Sequence, residues 1–234
     1  GREIGGTHFI VMDADEAFTS NCASDGLLRG VILALKPGER LAMKLIHLWR
    51  SIHTYRSDES IWSPEYREHI FCDDGVCFYE SDFIHTPRVP QTLAGKTRRL
   101  EGDLFGILHF QFVNWRNLLI KQAWYRCLER IRHPERSIEE INARYAPSKD
   151  ETHLGLKPAP EEWFANYPFF DPEIFAKPDE WRVRQMVQWF QEYGVEYFAG
   201  LDIWDIDWRV NGSWMLPKEA LPYINQARGS VPAI

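Results

Sequence analysis

Cysteine is scarce in this chain. Its four copies, Cys22, Cys72, Cys77 and Cys127, form no C-x-x-C pair and have no histidine at zinc-ligand spacing. A disulfide scaffold and a structural zinc site are therefore not indicated, and reduced cytoplasmic thiols are expected. Positive charge is in deficit: 27 Lys and Arg face 34 Asp and Glu, a formal net charge of -7. A nucleic-acid backbone or an anionic membrane as main partner selects for the opposite balance, so no nucleic acid is expected among the partners. No stretch approaches the roughly 18 apolar residues that a membrane span needs, and no charged-then-apolar leader opens the chain. The expectation is a protein without a transmembrane segment, cytoplasmic or peripheral to the inner face of a membrane. Internal repeats and low-complexity tracts are also missing.

What is present fits one substantial core: 234 residues, 44% hydrophobic and 26% charged. Ten tryptophans are many for this length. Their flat bodies fill cores and also stack on sugar rings, core filling being the commoner use. The chain opens at Gly1 and reaches strand-like sequence within a few residues, which reads as the interior of a longer protein.

The pattern along the chain is that of an α/β protein. Residues 9–12 read as a buried strand, 27–35 as a short helix stopped by "KPGE", and 40–49 as a strand. "EHIFCDDGVCFYE" predicts a hairpin, with Asp73-Asp74-Gly75 as its turn. Residues 105–112 predict another strand and 115–131 a helix that His133-Pro134 stops. "SIEEINARY" has the serine-to-glutamate spacing of a capping box, and 180–193 predicts a helix ended by Gly194. "LDIWDIDW", with Asp202, Asp205 and Asp207, reads as an edge strand with alternating faces rather than a metal loop.

The chemistry concentrates in "FIVMDADEAF". Asp13 and Asp15, one residue apart on a loop leaving a strand, can turn both carboxylates to one side. Oxygen donors of this kind suit Mg²⁺ or Mn²⁺, which keep open positions for phosphate oxygens. The bland alternative makes Asp13 a turn residue, Asp15 a cap and Glu16 a solvated charge. Haloacid-dehalogenase-type phosphatases also place D-x-D after a strand, but their downstream Thr or Ser motif and Lys are not recognisable here.

This stretch resembles the D-x-D-E loop of family 2 glycosyltransferases with a GT-A fold. The similarity continues in "DFIHTPR" and in "GILHFQFVNWRNLLIKQAWY", which is similar to the family's late strand with its His and the helix that follows. The resemblance covers residues 7–129. It implies an α/β, GT-A-like (Rossmann-like) mixed sheet flanked by helices, with residues 1–133 as the C-terminal part of the transferase domain and 134–234 as a mainly helical extension packed on it. It also implies a metal, Mn²⁺ or Mg²⁺, held by Asp13, Asp15 and His109. Asp13, His85, Arg88, Lys121 and Tyr125 would line the donor or acceptor.

Two features depart from the family. Thr86 stands where relatives carry a Glu after the His, which leaves Glu16, Asp82 and Asp103 as candidate bases. Only twelve residues precede Asp13, where the family has a nucleotide-cradling β-α-β unit. The implied activity is metal-dependent, inverting transfer of a sugar from a nucleoside diphosphate sugar to a glycan or other hydroxyl acceptor, as in polysaccharide biosynthesis. Trp49, Trp62 and Trp115 are candidates for a sugar platform. The alternative is a non-catalytic glycan-binding or interaction protein that kept the fold and lost the chemistry.

Overall fold

The computed structural model describes residues 1–24, 26–80, 86–103, 105–165, 167, 177 and 179–229. Contacts divide the chain into two compact units, Gly1–Val113 with Leu154–Pro172, and Asn114–His153 with Glu173–Ile234.

In chain order the first unit runs through β1 (His8–Ile10), β2 (Glu16–Phe18), α1 (Asn21–Ser24), α2 (Leu27–Leu33), β3 (Arg40–Trp49), β4 (Thr54–Arg56), β5 (Glu65–Cys72), β6 (Thr97–Arg99), β7 (Gly106–Phe112) and β8 (Leu156–Pro158). The eight strands form one mixed sheet. At its centre lies β3, buried along nearly its whole length, and such two-sided burial is why its sequence reads as a near-continuous apolar run. It pairs antiparallel with β4 and β5, and parallel with β6 and β7. Outward from these, β1 joins β5, β2 joins β7 and β8 joins β4, all antiparallel. Leu41, Met43, Ile70 and Ile107, none of them exposed, fill the core on the side of α2, and Leu28 packs with them.

The first strand ends earlier than its apolar run. Pairing with β5 stops at Ile10, after which the Val11 amide donates to the His69 carbonyl at 2.8 Å. The chain then turns, closed by the Glu16 amide on the Asp13 carbonyl at 3.1 Å, and Phe110 donates to the Asp15 carbonyl at 2.9 Å. Residues 11–15 thus run from an edge of β5 to the edge of β7, and Glu16 begins a strand that the acidic composition hides.

The predicted hairpin after Cys72 does not form. The Asp73 and Asp74 side chains accept the amides of Gly75, Val76 and Cys77, which closes a tight turn. Beyond it the Phe78 amide and carbonyl both bond the Thr92 hydroxyl, so residues 77–80 take no place in the sheet. A side chain has captured the backbone groups a ladder would need.

The second unit carries α3 (Trp115–Arg132), α4 (Ile138–Tyr145), α5 (Glu180–Tyr193), the short pair β9 (Arg209–Val210) and β10 (Ser213–Trp214), and α6 (Leu221–Gly229). Asn114 caps α3 by accepting the Asn117 amide at 3.0 Å, and Pro134 lies just past its end. Asn211 and Gly212, with φ of 49° and 76°, form the two-residue turn between β9 and β10. Cys127, Val183, Met186, Phe198 and Trp208 are enclosed in one aromatic-rich core. "LDIWDIDW" is a run of turns rather than an edge strand: Leu201, Ile203, Trp204, Ile206 and Trp208 are buried, while Asp202 and Asp205 reach out to Lys149. Helix α3, which the sequence groups with the sheet, is counted with this unit.

Candidate active site at the acidic loop

The loop that carries Asp13 and Asp15, with Glu16 opening β2 behind it, meets three strands that each present a histidine: His47 from β3, His69 from β5 and His109 from β7. All three are at least nine-tenths buried. Register explains part of this meeting, since Glu16 pairs with His109 across β2 and β7, and His47 pairs with His109 across β3 and β7. His69 occupies the irregular step of the β3–β5 ladder, between the pairs Leu41–Ile70 and Ala42–Glu68. A bulge of this kind re-aims a side chain.

Glu16 is the most enclosed of the carboxylates, with no exposed side-chain surface. Its Oε2 accepts the Asp13 amide at 2.9 Å and faces His69 Nε2 at 3.6 Å, while Oε1 accepts Arg88 Nη2 at 2.5 Å. Burial pushes its carboxyl up, but the His69 edge, the Asp13 amide and the Arg88 guanidinium outweigh this and hold it at about 2, against an ordinary 4.5. A carboxylate so stabilised is a weak proton acceptor, which counts against Glu16 as the base.

Arg88 also binds Asp13 Oδ2, so one guanidinium joins the first carboxylate of the motif to the third. Asp15 turns the other way. Its Oδ2 lies 3.7 Å from His109 Nε2, with the carboxylate one-third exposed and the imidazole nearly covered. The opposite edge of His109 meets His47, Nδ1 to Nδ1, at 3.0 Å. Burial first, and then the facing His109, push the His47 imidazole well below its ordinary 6.5, so it is neutral at pH 7. Trp62 and Phe112 stand edge-on to the His47 ring at 5.3 and 5.4 Å.

A divalent cation fits this donor set in part. Carboxylate oxygen with imidazole nitrogen is a ligand combination for Mn²⁺ or Mg²⁺, and two bonds of about 2.1 Å reach across the 3.7 Å between Asp15 and His109. Asp13 is engaged by Arg88, and Asp13, Asp15 and His109 do not bring three donor atoms together. Among the described residues only Asp73, Asp74 and Cys77 place three within 4.8 Å. That second group is already satisfied: Asp73 holds Arg2 through bonds of 2.6 and 2.5 Å, Asp74 accepts the Val76 and Cys77 amides, and burial with Asp73 beside it pushes the Cys77 thiol up to about 11. It borders a cavity of about 310 Å³ lined mainly by Phe9, Phe71, Phe78, Tyr79 and Pro90.

Asp82 and His85 lie outside the described residues. Asp103 is fully exposed and pairs with Lys44 at 3.0 Å, apart from the histidine cluster. Lys121 and Tyr125 lie on α3 of the second unit, where the Tyr125 ring stacks on Tyr145 at 5.7 Å. Trp49 is wholly buried, stacked on Phe112 at 4.3 Å with Arg56 over its ring, and so serves the core rather than a sugar platform. Trp62 is half-buried beside His47, and Trp115 opens α3.

Sequence reading missed His47 and His69. His47 sits in "KLIHLW" and His69 just before the apolar "IFC", where a histidine reads as core. Their meeting shows only in the pairing of the strands, where three strands of one sheet each carry a buried histidine. Compared with family models, with curated proteins and with solved structures, the chain matches none.

Proposed function

We propose that this chain is a glycosyltransferase with a GT-A-like sheet, transferring a sugar from a nucleoside diphosphate sugar to a hydroxyl acceptor. One observation carries the reading: the second carboxylate of D-A-D-E and the late-strand histidine, 94 positions apart in the chain by their numbers, face each other at 3.7 Å. Asp15 reaches this point from the loop between β1 and β2 and His109 from within β7, and a loop at a strand end of an α/β sheet is a usual place for ligands.

Departure of a nucleoside diphosphate builds negative charge, and preorganised positive groups aimed at that charge lower the barrier. A bound Mn²⁺ or Mg²⁺ would supply such charge. Asp15 and His109 would hold it, with His47 and Phe112 buried beside the His109 ring. Arg88 lies in the same cluster, and its fork is shaped to grip phosphate oxygens as well as carboxylates. Asp13 comes free as a ligand when Arg88 takes such a partner.

The grip of Arg88 on Asp13 and Glu16 favours a second reading, a binding protein whose acidic loop is closed by its own guanidinium. Turnover separates the two. With a panel of nucleotide sugars and Mn²⁺, this chain and a version extended upstream are each compared with Asp15→Asn. The transferase reading expects metal-dependent hydrolysis or transfer that falls at least about 100-fold in Asp15→Asn, the scale of losing a principal charge-stabilising group. Absence of both turnover and metal-dependent nucleotide binding from either version rejects it.

A further inference from the structure

We propose that His47 is a positioning residue for His109, accepting the hydrogen of its Nδ1 when a cation is bound, so that Nε2 presents a lone pair to that cation on the side of Asp15. The inference rests on the reading of Asp15 and His109 as metal ligands and adds a residue that the D-A-D-E resemblance does not supply.

The contact itself sets the problem. Two imidazole nitrogens 3.0 Å apart hold a single hydrogen between them, so one donates and the other accepts. If His47 donates, His109 carries its own hydrogen on Nε2 and has no lone pair for a cation. If His109 donates, its Nε2 is a bare acceptor 3.7 Å from a carboxylate oxygen, an arrangement that becomes favourable when a cation lies between them. Binding a cation therefore selects the second arrangement, and His47 must then accept through Nδ1.

The surroundings equip His47 for that part. Its ring is 3% exposed, so water does not compete for Nδ1. Trp62 at 90° and Phe112 at 89° stand edge-on to it, and adjacent register on β3 and β7 fixes the backbone beneath both imidazoles. Metal-bound histidines ordinarily donate their second ring nitrogen to an acceptor, and removal of that acceptor typically costs 10–100-fold in metal affinity. Here the acceptor is a second imidazole.

The test uses the full chain with Mn²⁺ as probe, its affinity read from the electron paramagnetic resonance of free ion. Histidine ¹⁵N chemical shifts are recorded in parallel with diamagnetic Mg²⁺. Expected are Nδ1–H on His109 in the Mg²⁺-loaded protein, Mn²⁺ affinity reduced 10–100-fold in His47→Phe, and most of that loss recovered in His47→Asn, whose amide oxygen takes the place of Nδ1. His47→Asn also keeps the test available if His47→Phe does not fold. Wild-type binding with Nε2–H on His109, or equal Mn²⁺ affinity in both variants, overturns the role of His47 and leaves the metal reading standing. No Mn²⁺ binding by the wild-type protein overturns both.

Discussion

Arg88 sits between two carboxylates of opposite accessibility, Asp13 with its side chain 55% exposed and Glu16 with none. The exposed pair is screened by water and contributes little. The enclosed one is different, because Glu16 has no solvent to return to, and its partners bring its carboxyl from 4.5 to about 2. Since the folded value is the lower, the stabilisation is fully present above pH 4.5 and disappears as pH falls through about 2. Its upper bound is about 3 kcal/mol at neutral pH, and about half of that is lost by pH 3. Urea unfolding of wild type and Glu16→Gln should therefore show a gap near pH 7 that narrows clearly at pH 3. A gap of the same size at both pH values means that packing, not charge, is what Glu16 contributes.

At the level of elements, legibility followed locality. The ends of α3, α4 and α5 were readable because caps and breakers lie within a few residues of the ends they set. Ser137 and Glu140 form the reciprocal capping box that their spacing announced, with bonds of 3.1 and 2.9 Å. Ser137→Ala removes one arm and is expected to cost about 1 kcal/mol in urea unfolding, while Ser137→Asp recovers most of it. An unchanged midpoint in the alanine variant would show that the core face of α4, not its cap, sets the end. Strand β3 was read from alternation along residues 40–49, although both of its faces are buried. By contrast, β2 is three residues long and starts on a glutamate, so only its pairing with β7 defines it. The lost hairpin after Cys72 has the same origin, since Thr92, fourteen residues from Phe78, takes the backbone bonds. The site divides likewise: Asp13, Asp15 and His109 stood out as motif residues, whereas His47, His69 and the bond from Arg88 to Glu16 depend on which strands lie side by side.

Across the whole molecule the four thiols report how firmly each unit is closed. All four cysteines are free and buried, three in the first unit and Cys127 in the second. A disulfide reagent needs access and thiolate, and burial denies both. Cys127 is wholly enclosed in the aromatic core, and burial pushes its thiol far up, so only opening of that core admits the reagent. Cys77 is 5% exposed on the wall of the 310 Å³ cavity, and its thiol is raised to about 11. Native protein treated with Ellman's reagent at pH 8 should react slowly overall, Cys77 first and Cys127 last, whereas in denaturant all four react at once. Mass mapping of the labelled peptides over time reads the order. Early labelling of Cys127 would mean that the second unit opens readily despite its core, and local opening rather than exposure would then govern the reactivity of this chain.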